Sequence, residues 1–75
     1  MNIDFEKKLG ENIRRLRMEK KMTQDEVATA FQLAGCELTR SSIAKIEVGQ
    51  RHLYPDEIVL LKGILGCTYE ELLNV

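Results

Sequence analysis

The sequence predicts an all-α domain, and three observations carry that prediction. Apolar residues recur at intervals of three and four, the period of helices with one buried stripe, and no stretch alternates as a strand would. Thr23 with Glu26, and Thr68 with Glu71, set a hydroxyl three residues before a carboxylate, the reciprocal cap of a helix start. Gly35, Gly49 and Gly66 stand where such stripes run out, as residues able to take the left-handed conformation that ends a helix. Five helices with short connections result. The chain has 75 residues, 44 % of them hydrophobic, enough for one domain over 1-75 with one small core.

Phe5, Leu9, Ile13 and Leu16 predict a first helix from about Asp4 to about Lys20, with Gly10 inside it, where close packing of another backbone would account for a glycine. The Thr23 box, with Met22 as a hydrophobic staple, opens a second helix burying Val27, Phe31 and Ala34, and Ala28 and Ala30 leave room for a neighbour. Gly35 stops it. Cys36, Glu37 and Leu38 form a connection in which Leu38 plugs the core. Thr39 caps a third helix with Ile43 and Ile46 inward and Arg40, Ser41, Ala44 and Lys45 outward, ended by Gly49. Pro55 suits the first position of a fourth helix carrying Ile58, Leu61, Ile64 and Leu65. The Thr68 box opens a short fifth, Tyr69 to about Leu73.

The third helix begins against electrostatic preference. Asp4 and Glu6, Asp25 and Glu26, Asp56 and Glu57, and Glu70 and Glu71 put carboxylates in the first turns of the other four, where the macrodipole is positive. After Thr39 come Arg40, Ser41 and Ser42. A cation there costs a few tenths of a kcal/mol, up to about 1. The cost is understandable if an external anion approaches that end, which points to a DNA-reading helix starting at Arg40.

Net charge is -1, which by itself argues against a nucleic-acid partner, but its distribution does not. Lys7, Lys8, Arg14, Arg15, Arg17, Lys20 and Lys21 precede Thr23, Arg40, Lys45 and Arg51 follow, and beyond His52 only Lys62 is basic. Such a dipolar molecule can be oriented on DNA. Apolar runs reach only four residues and no signal-peptide pattern opens the chain, so a cytoplasmic protein without membrane contact is expected. Cys36 and Cys67 lack the company of a metal site and read as reduced, partly buried thiols. No cofactor is implied. His52 is the single histidine, and each carboxylate pair is explained by a helix start, so no catalytic residue is nominated and an enzyme is not expected.

At Gln24, Ala28, Ile43, Ile46, Glu47 and Gly49, and along LGENIRRLRMEKKMTQDEVA and GCTYEELL, the chain resembles the helix-turn-helix domain of the phage-repressor family, the Cro and Xre-like DNA-binding proteins. The resemblance covers essentially the whole chain. It implies a five-helix repressor fold, helices 2 and 3 forming the helix-turn-helix, helix 3 (about 40-48) in the major groove, and a homodimer on a two-fold symmetric double-stranded DNA operator. By position it implies that Gln24 meets a phosphate, that Thr39, Arg40, Ser41, Ser42 and Lys45 belong to the reading helix, and that Gln50, Arg51 and His52 form a loop touching the DNA backbone. It also implies a buried Arg17 to Glu47 pair. Two departures stand out: five extra residues between Gln24 and Ile43, and Val48 where the family often has Asn. For the dimer contact, Leu72, Leu73 and Val75 are expected to leave apolar surface on the last helix, or to fold back on the core. The rival reading is an antitoxin-like regulatory subunit, favoured by the acidic C-terminal end, whose main partner is another protein.

Overall fold

The computed structural model describes residues 2–75 as five helices: α1 Ile3–Glu19, α2 Gln24–Leu33, α3 Arg40–Glu47, α4 Pro55–Leu65 and α5 Tyr69–Leu73. α1 packs against α3 and α5, and α2 against α3 and α4. The core between them gathers Leu9, Ile13 and Leu16 of α1, Val27, Ala28 and Phe31 of α2, Ile43 and Ile46 of α3, and Leu61 and Leu65 of α4. Leu38, Leu53, Cys67 and Leu72 close it from the connections and the last helix. None of the helices is long and apolar enough to cross a membrane.

Capping sets the boundaries. Thr23 and Thr68 accept from the amides of Glu26 and Glu71, whose carboxylates reach back to the amides of Thr23 and Thr68. The C-terminal ends share one device: in α2 and α3 the left-handed Gly35 and Gly49 let the following residue, Cys36 or Gln50, donate back to Phe31 or Lys45. α1 ends the same way without a glycine. Lys21 holds φ 56°, its amide donates to Met18, and Met22 donates to Arg17.

Gly10 is buried against α3: a Cβ there would lie 2.5 Å from the Glu47 carbonyl oxygen and 2.7 Å from its carbon, and would also strike the Ile46 carbonyl. The two backbones touch because no side chain intervenes. Gly49 does the same against Lys7, whose Cα would lie 3.0 Å from an added Cβ. Both glycines press the end of α3 onto α1.

Two expectations are corrected and one choice between alternatives is decided. Phe5 is exposed, and the buried stripe of α1 starts instead at Glu6, whose carboxylate pairs with His52 at 2.7 Å. Ala34 is exposed because it is the C-cap of α2, already past the core when the chain turns at Gly35. Of the two outcomes left open for Leu72, Leu73 and Val75, Leu72 folds back and is fully buried in the core, Leu73 is half-buried and Val75 beyond α5 is exposed. Asn12 locks this arrangement by donating to the carbonyls of Glu71 and Leu72, each at 2.7 Å. The extra residues between Gln24 and Ile43 are held by Leu38, which is buried, and by Gln32, whose amide donates to the Leu38 carbonyl at 2.8 Å.

Candidate nucleic-acid interface

The surface of interest is built outward from the start of α3. Thr39 Oγ1 accepts from the Ser42 amide at 3.2 Å, and Ser42 Oγ accepts from the Thr39 amide at 3.3 Å. This is a capping box with serine in the place that Glu26 fills in α2 and Glu71 in α5. In α4 as well a glutamate, Glu57, reaches back to the first amide. Serine satisfies the donor without adding negative charge, so the amino end of α3 keeps its positive potential. Its first turn holds no acid.

Arg40, Ser41 and Lys45 are exposed on this helix, Ala44 is half-buried, and Ile43, Ile46 and Glu47 face inward. Among the described residues no carboxylate pairs with Arg40 or Lys45. Arg40 also borders a surface concavity that includes Arg14, Lys21, Gln24 and Asp25, at the amino end of α2. Arg14 and Lys21 enter the sequence reading only as part of the charge layout and not as candidate contacts. The signal available was position: Lys21 lies two residues before the Thr23 cap, beside the positive end of α2.

Behind this surface lies Glu47, which is almost entirely buried. Arg17 Nε and Nη2 donate to its two carboxylate oxygens at 2.7 and 3.1 Å, Gln24 Nε2 donates at 3.0 Å, and Arg17 Nη1 donates to the Met22 carbonyl at 2.9 Å. One charged cluster thus joins α1, the turn after it, the start of α2 and the end of α3. The hydrogen bond from Arg17 to Glu47 holds the guanidinium above even its ordinary high pKa. Gln24 therefore spends its side chain inward, leaving its backbone amide in the first turn of α2.

Arg51 and His52, expected as backbone contacts, are engaged inside the molecule. Arg51 donates through both terminal nitrogens to Glu57 at 2.9 and 3.0 Å and to the His52 carbonyl at 2.8 Å. Its hydrogen bonds hold the Glu57 carboxyl below the usual range. His52 pairs through Nδ1 with Glu6 and meets the Tyr54 ring edge-on at a centroid distance of 5.0 Å. Together they fasten the loop after α3 to α1 and α4. Gln50 in that loop is exposed. Of the residues nominated from sequence, the structure thus presents Arg40, Ser41, Lys45 and Gln50 outward, turns Gln24 inward, and uses Thr39, Ser42, Arg51 and His52 in caps and ties.

Cys36 and Cys67 are both reduced. Burial pushes each thiol up, assisted at Cys36 by Glu57 and Asp56 and at Cys67 by Glu71, which makes them poor nucleophiles. Among the described residues no cluster of three or more His, Cys, Asp or Glu gathers that could hold a metal.

A family model described as Helix-turn-helix matches residues 13–72, from the middle of α1 into α5. No curated protein and no solved structure matches the chain.

Proposed function

The chain belongs to the Cro and Xre-like helix-turn-helix family of DNA-binding transcription regulators, and from that membership we propose a repressor that reads a specific operator with α3. α3 enters the major groove by its amino end. Arg40, Ser41 and Lys45 face the bases and the nearest phosphates, while Arg14, Lys21 and the Gln24 amide receive the phosphate chain at the start of α2. Two copies act together on half-sites about 34 Å apart, because one module spans too few base pairs to define a site.

The observation that carries this reading is the neutral capping box of α3. Serine at the position that glutamate fills in α2, α4 and α5, preceded by an Arg40 that has no carboxylate partner among the described residues, leaves an amino end suited to an anion and unsuited to isolation in water. In the same way, Arg40 offers the two parallel donors that match O6 and N7 of guanine.

Selection of bound fragments from a random duplex pool tests this directly. A single two-fold symmetric motif is expected. Arg40→Ala is then expected to lose about 1 to 3 kcal/mol on that motif and to relax one base pair per half-site. Uniform weakening on all sequences, with a salt slope smaller by about one unit per subunit, would move Arg40 to a phosphate instead. Unchanged binding and an unchanged slope would remove α3 from the groove.

A further inference from the structure

The concavity beside Arg40 is basic with one exception. Arg14, Lys21 and Arg40 border it with charges that, among the described residues, no carboxylate pairs, and Arg17 borders it with its charge spent on Glu47. Among these cations stands Asp25. It is exposed, and among the described residues no cation pairs with it.

Its place on α2 fixes the side it occupies. Gln32, seven residues later and so on the same side of the helix, donates to the Leu38 carbonyl at 2.8 Å, immediately before the Thr39 cap of α3. The Asp25 side of α2 therefore flanks the start of α3. The helix dipole favours an acid in the first turn of α2, but Glu26 already supplies one and closes the cap by accepting from the Thr23 amide. A second carboxylate, left without a partner in a basic concavity, works against any anion that enters. α3 starts beside the same concavity and has no acid in its first turn. Repulsion thus stands where phosphates are proposed to enter and is missing where bases are proposed to be read.

We infer that Asp25 is a brake on phosphate binding, a residue that holds down the sequence-independent part of the affinity so that a complex persists only where α3 adds base contacts. The inference rests on the proposed docking of the start of α2 against the phosphate chain. Non-specific binding draws essentially all of its free energy from phosphates. A fixed carboxylate beside the backbone lowers the affinity for every duplex by the same factor, and sites that offer no base contacts are the first to fall below occupancy. Two unit charges about 4 Å apart in water set that factor at about fivefold.

Titration of Asp25→Asn against the selected operator and against random duplex at low salt is the test. Both affinities are expected to rise about fivefold with their ratio unchanged, and the gain should shrink as salt screens the charge. The thermal midpoint should fall slightly, because the dipole loses an acid, so stability and affinity move in opposite directions. Glu70→Gln removes the same charge from the first turn of α5, in a separate concavity with Arg15 and Asn74, and should leave both affinities nearly unchanged. An equal gain from Glu70→Gln would reduce the effect to net charge and overturn the inference. Loss on the operator with gain on random duplex would overturn it too, by making Asp25 a base contact. Should Asp25→Asn lose helical circular dichroism, Asp25→Ser removes the same charge with a residue suited to a helix start, and unchanged affinities there are equally fatal. A wild type that binds no duplex defeats the docking proposal and this inference together. Operator binding that Arg40→Ala weakens and Asp25→Asn leaves unchanged defeats this inference alone.

Discussion

Lys21 occupies the left-handed region, where a side chain costs on the order of 1 kcal/mol that glycine avoids. Relief of that strain outweighs the unfolded-chain entropy that glycine adds, so Lys21→Gly is expected to stabilise the protein slightly in urea titration, with the loss of a cation from the concavity beside Arg40 reported separately as weaker DNA binding. Arg17 behaves differently. Its removal leaves Glu47, whose side chain is only 2 % exposed, without its counter-charge, and Arg17→Ala should cost about 3 to 5 kcal/mol. Replacing both partners by apolar residues of similar volume should cost much less than either single change, because the penalty lies in the orphaned charge. Equal losses in the single and double variants would show that packing, and not charge, dominates.

At the scale of the element, the start of α3 sets stability against function. Ser42→Glu should replace the serine's return bond by a charged one, as Glu26 and Glu71 make, raise the thermal midpoint, and place a carboxylate at the end proposed to meet DNA. Higher stability together with lost operator affinity is the expected pair of results; gain in both would contradict the proposed docking end. The caps were legible in sequence because a hydroxyl and its partner three residues on are local chemistry. The same holds for Gly35 and Gly49. The end of α1 was not, since Lys21 completes the same turn without the residue type that announces it. Phe5 and Glu6 were exchanged for a related reason: periodicity marks an apolar candidate, but burial of Glu6 depends on His52, 46 residues away. Likewise, nothing local distinguishes Arg51, tied to Glu57, from Arg40, which has no such tie.

Across the whole molecule, carboxylates hold connections in place, which makes stability sensitive to acid. Glu57 is held below its ordinary range by Arg51, and Glu71 by its bonds with Thr68. A depressed folded pKa means that the stabilisation is complete above the unfolded value of about 4.3 and disappears as pH falls through the lower folded value. The urea midpoint should therefore be level near neutrality and drop below about pH 4. Glu57→Gln should lower the plateau and flatten the drop; an unchanged acid limb would assign the effect to other carboxylates. The dipolar charge layout was visible in sequence, but which cations remained available was decided by folding: among the described residues Arg17, Arg51 and Arg15 acquire acidic partners, whereas Arg14, Lys21, Arg40 and Lys45 do not.

The contact between Gly10 and the last carbonyls of α3 has a mechanical meaning. α1 grips α3 there, through Glu47 and at Gly49, all at one end, while Arg40 and Ser41, proposed to read DNA, project at the other. α3 is a lever about 12 Å long, clamped at its base. Tilting it by five degrees moves the tip by about 1 Å, as much as separates a good hydrogen bond from a broken one. The base preference of such a protein can therefore drift through substitutions at positions 7, 10 or 17 that never approach a nucleotide, by re-aiming a tip whose own residues are unchanged.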